Sequence, residues 1–150
     1  MEPNKVNQLK NLPPIEQIET EQGTLAIDLG SSNTVVVFQK DNGEPPQLLD
    51  LPPITKRSGE IPSLIWQSSS ENDDFLVGQQ IIDLDLNKKE KEENLSQDFK
   101  RWIGSPKIND IYNSIISPEK AGEILIHTIW EKVPKKILIN RLVLTAPVET

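Results

Sequence analysis

The chain has no cysteine, so neither a disulfide framework nor a thiolate metal site can exist. Its single histidine, His127, leaves little for zinc. No run approaches the ~18 consecutive apolar residues that a membrane-spanning helix needs, and the polar N-terminus lacks the hydrophobic core of a signal peptide. The cytoplasm is the expected compartment. Positive charge is also scarce: 16 basic residues stand against 23 acidic ones, a net charge of −7. That balance argues against a nucleic-acid partner, whose phosphates are bound by clustered Lys and Arg, and against an anionic membrane surface. Two familiar nucleotide signatures are missing as well. There is no G-x-x-x-x-G-K-[ST] opening a helix, and no three-glycine dinucleotide fingerprint.

What is present is one short stretch, Ala26-Ile27-Asp28-Leu29-Gly30-Ser31-Ser32-Asn33-Thr34-Val35-Val36-Val37. It places a carboxylate, a glycine and two hydroxyls in a tight turn between two apolar runs. Leu25, Ile27 and Leu29 can share one face, while Val35 to Phe38 is apolar on both faces, as in a strand buried within a sheet. Gly30 lets the backbone approach a ligand without a Cβ in the way. Consecutive N–H groups in such a turn can form an anion-binding nest, with Ser31 and Ser32 adding donors. Asp28 stands where a divalent cation bridging phosphates, or its water shell, needs an anionic oxygen. An ordinary hairpin is the alternative reading, since Gly, Ser and Asn are common turn residues.

At 150 residues the chain can bury one real core but not two lobes. Residues 1–22, with Pro3, Pro13 and Pro14 among Asn, Gln, Lys and Glu, read as a disordered leader. Beyond the first two strands, Asp41 to Glu44 signals a hairpin turn into a third strand over Gln47 to Leu51, ended by Pro52 and Pro53. Ile61 to Trp66 reads as a strand that admits Pro62 only near its start or on an edge, and Phe75 to Gly78 as its short partner. Lys88 to Glu93 is a mixed-sign run, a solvated turn or helix start. Leu95, Phe99, Trp102 and Ile103 fall on one helical face, stopped by Gly104 and Pro106. Ser117-Pro118-Glu119 caps a longer helix, closed by Pro134, whose apolar positions extend to Trp130. Arg141 to Ala146 is a last strand. His127 reads as a packing or boundary residue. Trp66, Trp102 and Trp130 read as core or contact residues. The class is α/β: three antiparallel strands, a helical crossover, and one further strand parallel to the first.

Taken in order, these residues resemble the start of the nucleotide-binding domain of 70-kilodalton heat-shock chaperones, within the actin-like ATPase superfamily. Ala26 to Val37 is similar to the family's first phosphate loop, I-D-L-G-T-T-N-S. Ile61-Pro62-Ser63-Leu64-Ile65 is similar to T-P-S-V-V, Leu76-Val77-Gly78-Gln79 to L-V-G-Q, Phe99 to Gly104 to I-K-R-L-I-G, and Leu144-Thr145-Ala146-Pro147 to I-T-V-P. The resemblance implies a partial actin-like (ribonuclease H-like) mixed sheet in residues 23–150, an N-terminal lobe truncated at its C-terminal end. It implies ATP or ADP with magnesium as ligand, Asp28 orienting the hydrated magnesium, and Gly30, Ser31, Ser32 and Asn33 lining the β- and γ-phosphates. Pro147 falls where the family couples nucleotide state to its substrate-binding domain. Client polypeptides or co-chaperones are implied only through domains beyond Thr150, where the second phosphate loop and the adenosine-binding loops are also expected.

Two departures qualify the activity. The family's catalytic lysine position holds Ile82, and no Lys or Arg lies between Arg57 and Lys88. The segment Ser105 to Ser117 is too short for the family's small inserted β-subdomain, so a reduced insertion is expected. Three functions remain open from the sequence: part of an ATP-binding, chaperone-like ATPase, a noncatalytic nucleotide-sensing or partner-binding module, and a sugar kinase of the same superfamily. The kinase leaves the P-S-L-I, L-V-G and K-R-W-I-G landmarks unexplained.

Overall fold

A computed structural model describes residues 20–68, 74–88, 92–105 and 112–145. Strands β1 (Glu21–Asp28) and β2 (Asn33–Lys40) pair antiparallel, with Leu25 opposite Phe38 and Ile27 opposite Val36. The single buried face expected of Leu25, Ile27 and Leu29 holds, while Val35 to Phe38, read as apolar on both faces, buries Val36 and Phe38 and leaves Val35 and Val37 half-buried. β1 begins at Glu21, two residues inside the stretch read as leader.

The outer edge of β2 is shared by two short strands. β3 (Gln47–Leu48) takes Val37 and Phe38, and β4 (Glu60–Pro62) takes Asn33 to Val35. The single strand expected over Ile61 to Trp66 is instead split at Ser63. β4 ends there and β5 (Leu64–Gln67) opens a second sheet, pairing antiparallel with β6 (Phe75–Val77). The N–H of Ser63 still donates to the Ser32 carbonyl at 2.9 Å, so contact with β2 runs up to Ser63, and from Leu64 onward the chain changes partner and pairs within the second sheet.

After β6, Gly78 adopts φ 67°, and a Cβ there would sit 2.4 Å from the Ile54 carbonyl oxygen. This requirement for glycine sets the start of the short helix α1 (Gln79–Asp83), whose Ile81 is fully buried. The helix expected over Leu95 to Ile103 does not form. Its first residues are β7 (Leu95–Gln97), which pairs with the free edge of β5, and Phe99–Trp102 is a 3-10 turn. Asp98 between them lies at φ 54°, a left-handed conformation that a continuous helix excludes. Leu95 and Phe99 are both buried, but from two different elements.

Helix α2 (Pro118–Lys132) matches the expectation closely. Ser117 Oγ accepts from the Lys120 N–H at 3.1 Å, Pro118 occupies the first turn, and the chain leaves at Val133 before Pro134. Its Ala121, Leu125 and Ile129 are fully buried against the β1–β2 face and the second sheet. Trp130, read from the sequence as core or contact, is 50% exposed. Trp66 and Trp102 are half-buried.

β8 (Ile137–Thr145) returns parallel to β1, as expected of a helical crossover, though it starts earlier than the Arg141 boundary. The main sheet has the order β3-β2-β1-β8, with β4 also on β2, and is mixed; the second, β6-β5-β7, is antiparallel. The molecule is therefore mixed α/β with two sheets and few helices among the described residues. No helix among them is long and apolar enough to cross a membrane.

Candidate phosphate-binding turn and its cleft

The turn between β1 and β2 is held from outside by one residue, Ser63. Its Oγ donates to the Gly30 carbonyl at 2.7 Å and its N–H donates to the Ser32 carbonyl at 2.9 Å. A further hydrogen bond of 2.9 Å joins Ser63 Oγ to Thr34 Oγ1, and both side chains are buried. Two carbonyls of the turn are thus committed inward. Gly30 is required on steric grounds, because a Cβ would stand 2.1 Å from the Asn33 carbonyl oxygen. Among the described residues, the hydroxyls of Ser31 and Ser32 and the Asn33 side-chain amide have no intramolecular partner.

Ser31, Ser32 and Asn33 line a cleft of about 400 Å³. Its other walls come from the hinge at Pro62 to Leu64, from Ile82 within α1, and from Gln97, Asp98 and Arg101 at the end of the second sheet. Lys56, from the loop before β4, completes the lining. Ser31, Ser32 and Asn33 therefore meet Ile82 in one cleft, where it presents an aliphatic wall, whereas Gly30 is not part of the lining.

Asp28 does not line that cleft. It is exposed at the carboxyl end of β1, opposite Thr145 in the parallel pair with β8, and its Oδ1 accepts from Thr145 Oγ1 at 2.6 Å. The carboxyl ends of β1 and β8 and the turn thus lie together, the end of an α/β sheet outside which ligands bind. Pro147 lies outside the described residues.

Lys56 and Arg101 were missed as site residues. Arg101 stands within the K-R-W-I-G landmark but carried no role there, and Lys56 is one cation in a polar loop with no motif around it. A different cleft, of about 490 Å³, lies along α2 and includes His127 and Glu131. His127 is neither packed nor at a boundary. Its Nε2 lies 3.0 Å from Glu131 Oε1, and the two side chains are 68% and 63% exposed, a solvated i,i+4 pair. No Ser or Cys lines that cleft among the described residues. Nor do three or more His, Asp or Glu side chains cluster as metal ligands among the described residues.

Neither a protein-family model nor a curated protein matches this sequence.

Proposed function

We propose that this chain carries the first phosphate-binding turn of an ATP-binding, heat-shock-chaperone-like ATPase with an actin-like fold. The observation that carries the reading is the Gly30–Asn33 turn, whose carbonyls are tied back by Ser63 while its side-chain donors are free and line a cleft. Ser31, Ser32 and Asn33 would donate to phosphate oxygens, and Gly30 lets the turn close against the Asn33 carbonyl so that they can do so. The residues fit the phosphates of ATP or ADP. For magnesium the described residues offer Asp28 at the carboxyl end of β1, outside the cleft lining and suited to holding a water of the hydrated ion rather than building a protein cage, while the carboxylate that does line the cleft, Asp98, is paired with Arg101. Magnesium, when bound, neutralises phosphate charge.

Ile82 favours a second reading of the same site, nucleotide binding without efficient turnover. An aliphatic wall cannot stabilise charge that develops on a transferring phosphoryl group. Client and co-chaperone binding, and coupling through Pro147, belong to the chaperone reading of a longer protein.

Calorimetric titration with ATP, with and without magnesium, tests the proposal. Weak saturable binding, near ~1 mM, that magnesium strengthens is expected, and Asp28→Ala should remove the magnesium dependence while leaving residual phosphate binding. Absence of any heat from ATP in the wild-type chain would reject the site, and unchanged magnesium dependence in the variant would remove Asp28 from it.

A further inference from the structure

Two adjacent cations in the loop before β4 behave differently. Arg57 Nε is committed to Glu60 Oε2 at 3.1 Å, whereas the Lys56 ammonium has no ion-pair partner among the described residues and lines the cleft of the Ser31–Asn33 turn. The loop fixes where Lys56 starts: its N–H donates to the Glu60 carbonyl at 2.8 Å and the Glu60 N–H donates to the Arg57 carbonyl at 2.9 Å. From across the cleft comes Arg101, carried on the 3-10 turn that the fully buried Phe99 anchors. Arg101 Nη1 lies 3.4 Å from Asp98 Oδ2, a partly solvated pair in which the guanidinium keeps free donors. Among the described residues of the lining, Lys56, Arg101 and Asp98 are ionisable, a balance of one positive charge in a chain whose formal charge is −7.

We infer that Lys56 and Arg101 form a cationic clamp for a phosphate chain held by the Ser31–Asn33 turn, with Asp98 acting as an internal competitor that holds Arg101 until the anion binds. The inference rests on the turn being a phosphate site and adds the charge that position 82 does not supply. The ligand class is a di- or triphosphate group, since two cations approach the turn from different elements. A lysine ammonium reaches a phosphate as a point charge, and an arginine fork matches two of its oxygens. Because Asp98 already has φ 54°, Asn is well tolerated at that position, so its charge can be removed without altering the backbone.

The test uses the whole chain and two probes that share the group, inorganic tripolyphosphate and ATP, with circular dichroism to verify folding. Lys56→Ala and Arg101→Ala should each weaken tripolyphosphate binding roughly tenfold, Lys56→Arg should restore most of it, and Arg57→Ala should leave it unchanged. Asp98→Asn should tighten it several-fold, a direction that damage to the fold does not produce. ATP binding that follows tripolyphosphate across the variants places the recognition in the phosphates. Should Lys56→Ala and Arg101→Ala bind as the wild type does while Ser31→Ala/Ser32→Ala loses binding, the clamp is wrong and the turn remains a phosphate site. An equal loss in Arg57→Ala would reduce the effect to general charge and also overturn the clamp. Unchanged affinity in Asp98→Asn would remove the competitor role. If the wild type binds neither probe, the turn reading fails and the clamp fails with it.

Discussion

Ser63 and Gly30, 33 residues apart in sequence, are joined by a 2.7 Å hydrogen bond from the serine hydroxyl to the glycine carbonyl. Because Ser63 is also the hinge between the two sheets, the conformation of the turn is tied to the break between β4 and β5. Ser63→Ala should therefore cost stability and order in the turn together. It leaves the buried Thr34 hydroxyl without its partner, a loss of about 1–3 kcal/mol. Urea denaturation would measure the loss, and an unchanged midpoint would mean that the hinge does not depend on this contact.

The strand–turn–strand was legible because Leu25, Ile27 and Leu29 alternate along β1 and Val35 to Phe38 is an unbroken apolar run, and the long helix because cap, first-turn proline and terminating proline all agree. The stretch Leu95 to Ile103 was not. Its apolar spacing imitates one helical face, yet Leu95 serves a strand and Phe99 a 3-10 turn, and only the free edge of β5 decides between them. The hydroxyls and glycine of the site could be read locally. Ser63, Lys56 and Arg101 could not, since Ser63 bonds to the turn from a distant segment and Lys56 and Arg101 share its cleft from two others, and no local pattern encodes that placement.

Acid should weaken the tie between the 3-10 segment and α2. The Gly104 N–H donates to Glu119 Oε1 at 2.9 Å, and this bond, with one from the residue's own backbone, holds the carboxyl below its ordinary value of 4.5. A lowered value means that the folded state favours the carboxylate. The stabilisation is fully present above the ordinary value and disappears as pH falls through the lowered one. Thermal melts of wild type and Glu119→Gln should differ at neutral pH and converge in acid. A gap independent of pH would contradict this role.

β8 lies at the edge of the main sheet among the described residues, and Leu142 and Leu144 are 43% and 48% exposed although they share the face of the buried Leu25 and Ile27. A nine-residue edge strand with exposed leucines invites pairing with a second copy. Sedimentation should show association that grows with concentration, and Leu144→Lys should suppress it at a stability cost within about 0.5 kcal/mol. Identical sedimentation at all concentrations would count against it.

The most direct measurement is an amide chemical-shift titration of the isotope-labelled chain with magnesium-ATP. Shifts should concentrate at Gly30, Ser31, Ser32 and Asn33, with Lys56 and Arg101 responding in parallel and all of them saturating together. Shifts that gather instead around His127 and Glu131, or no shifts at the turn at saturating ligand, would contradict the phosphate reading of the turn.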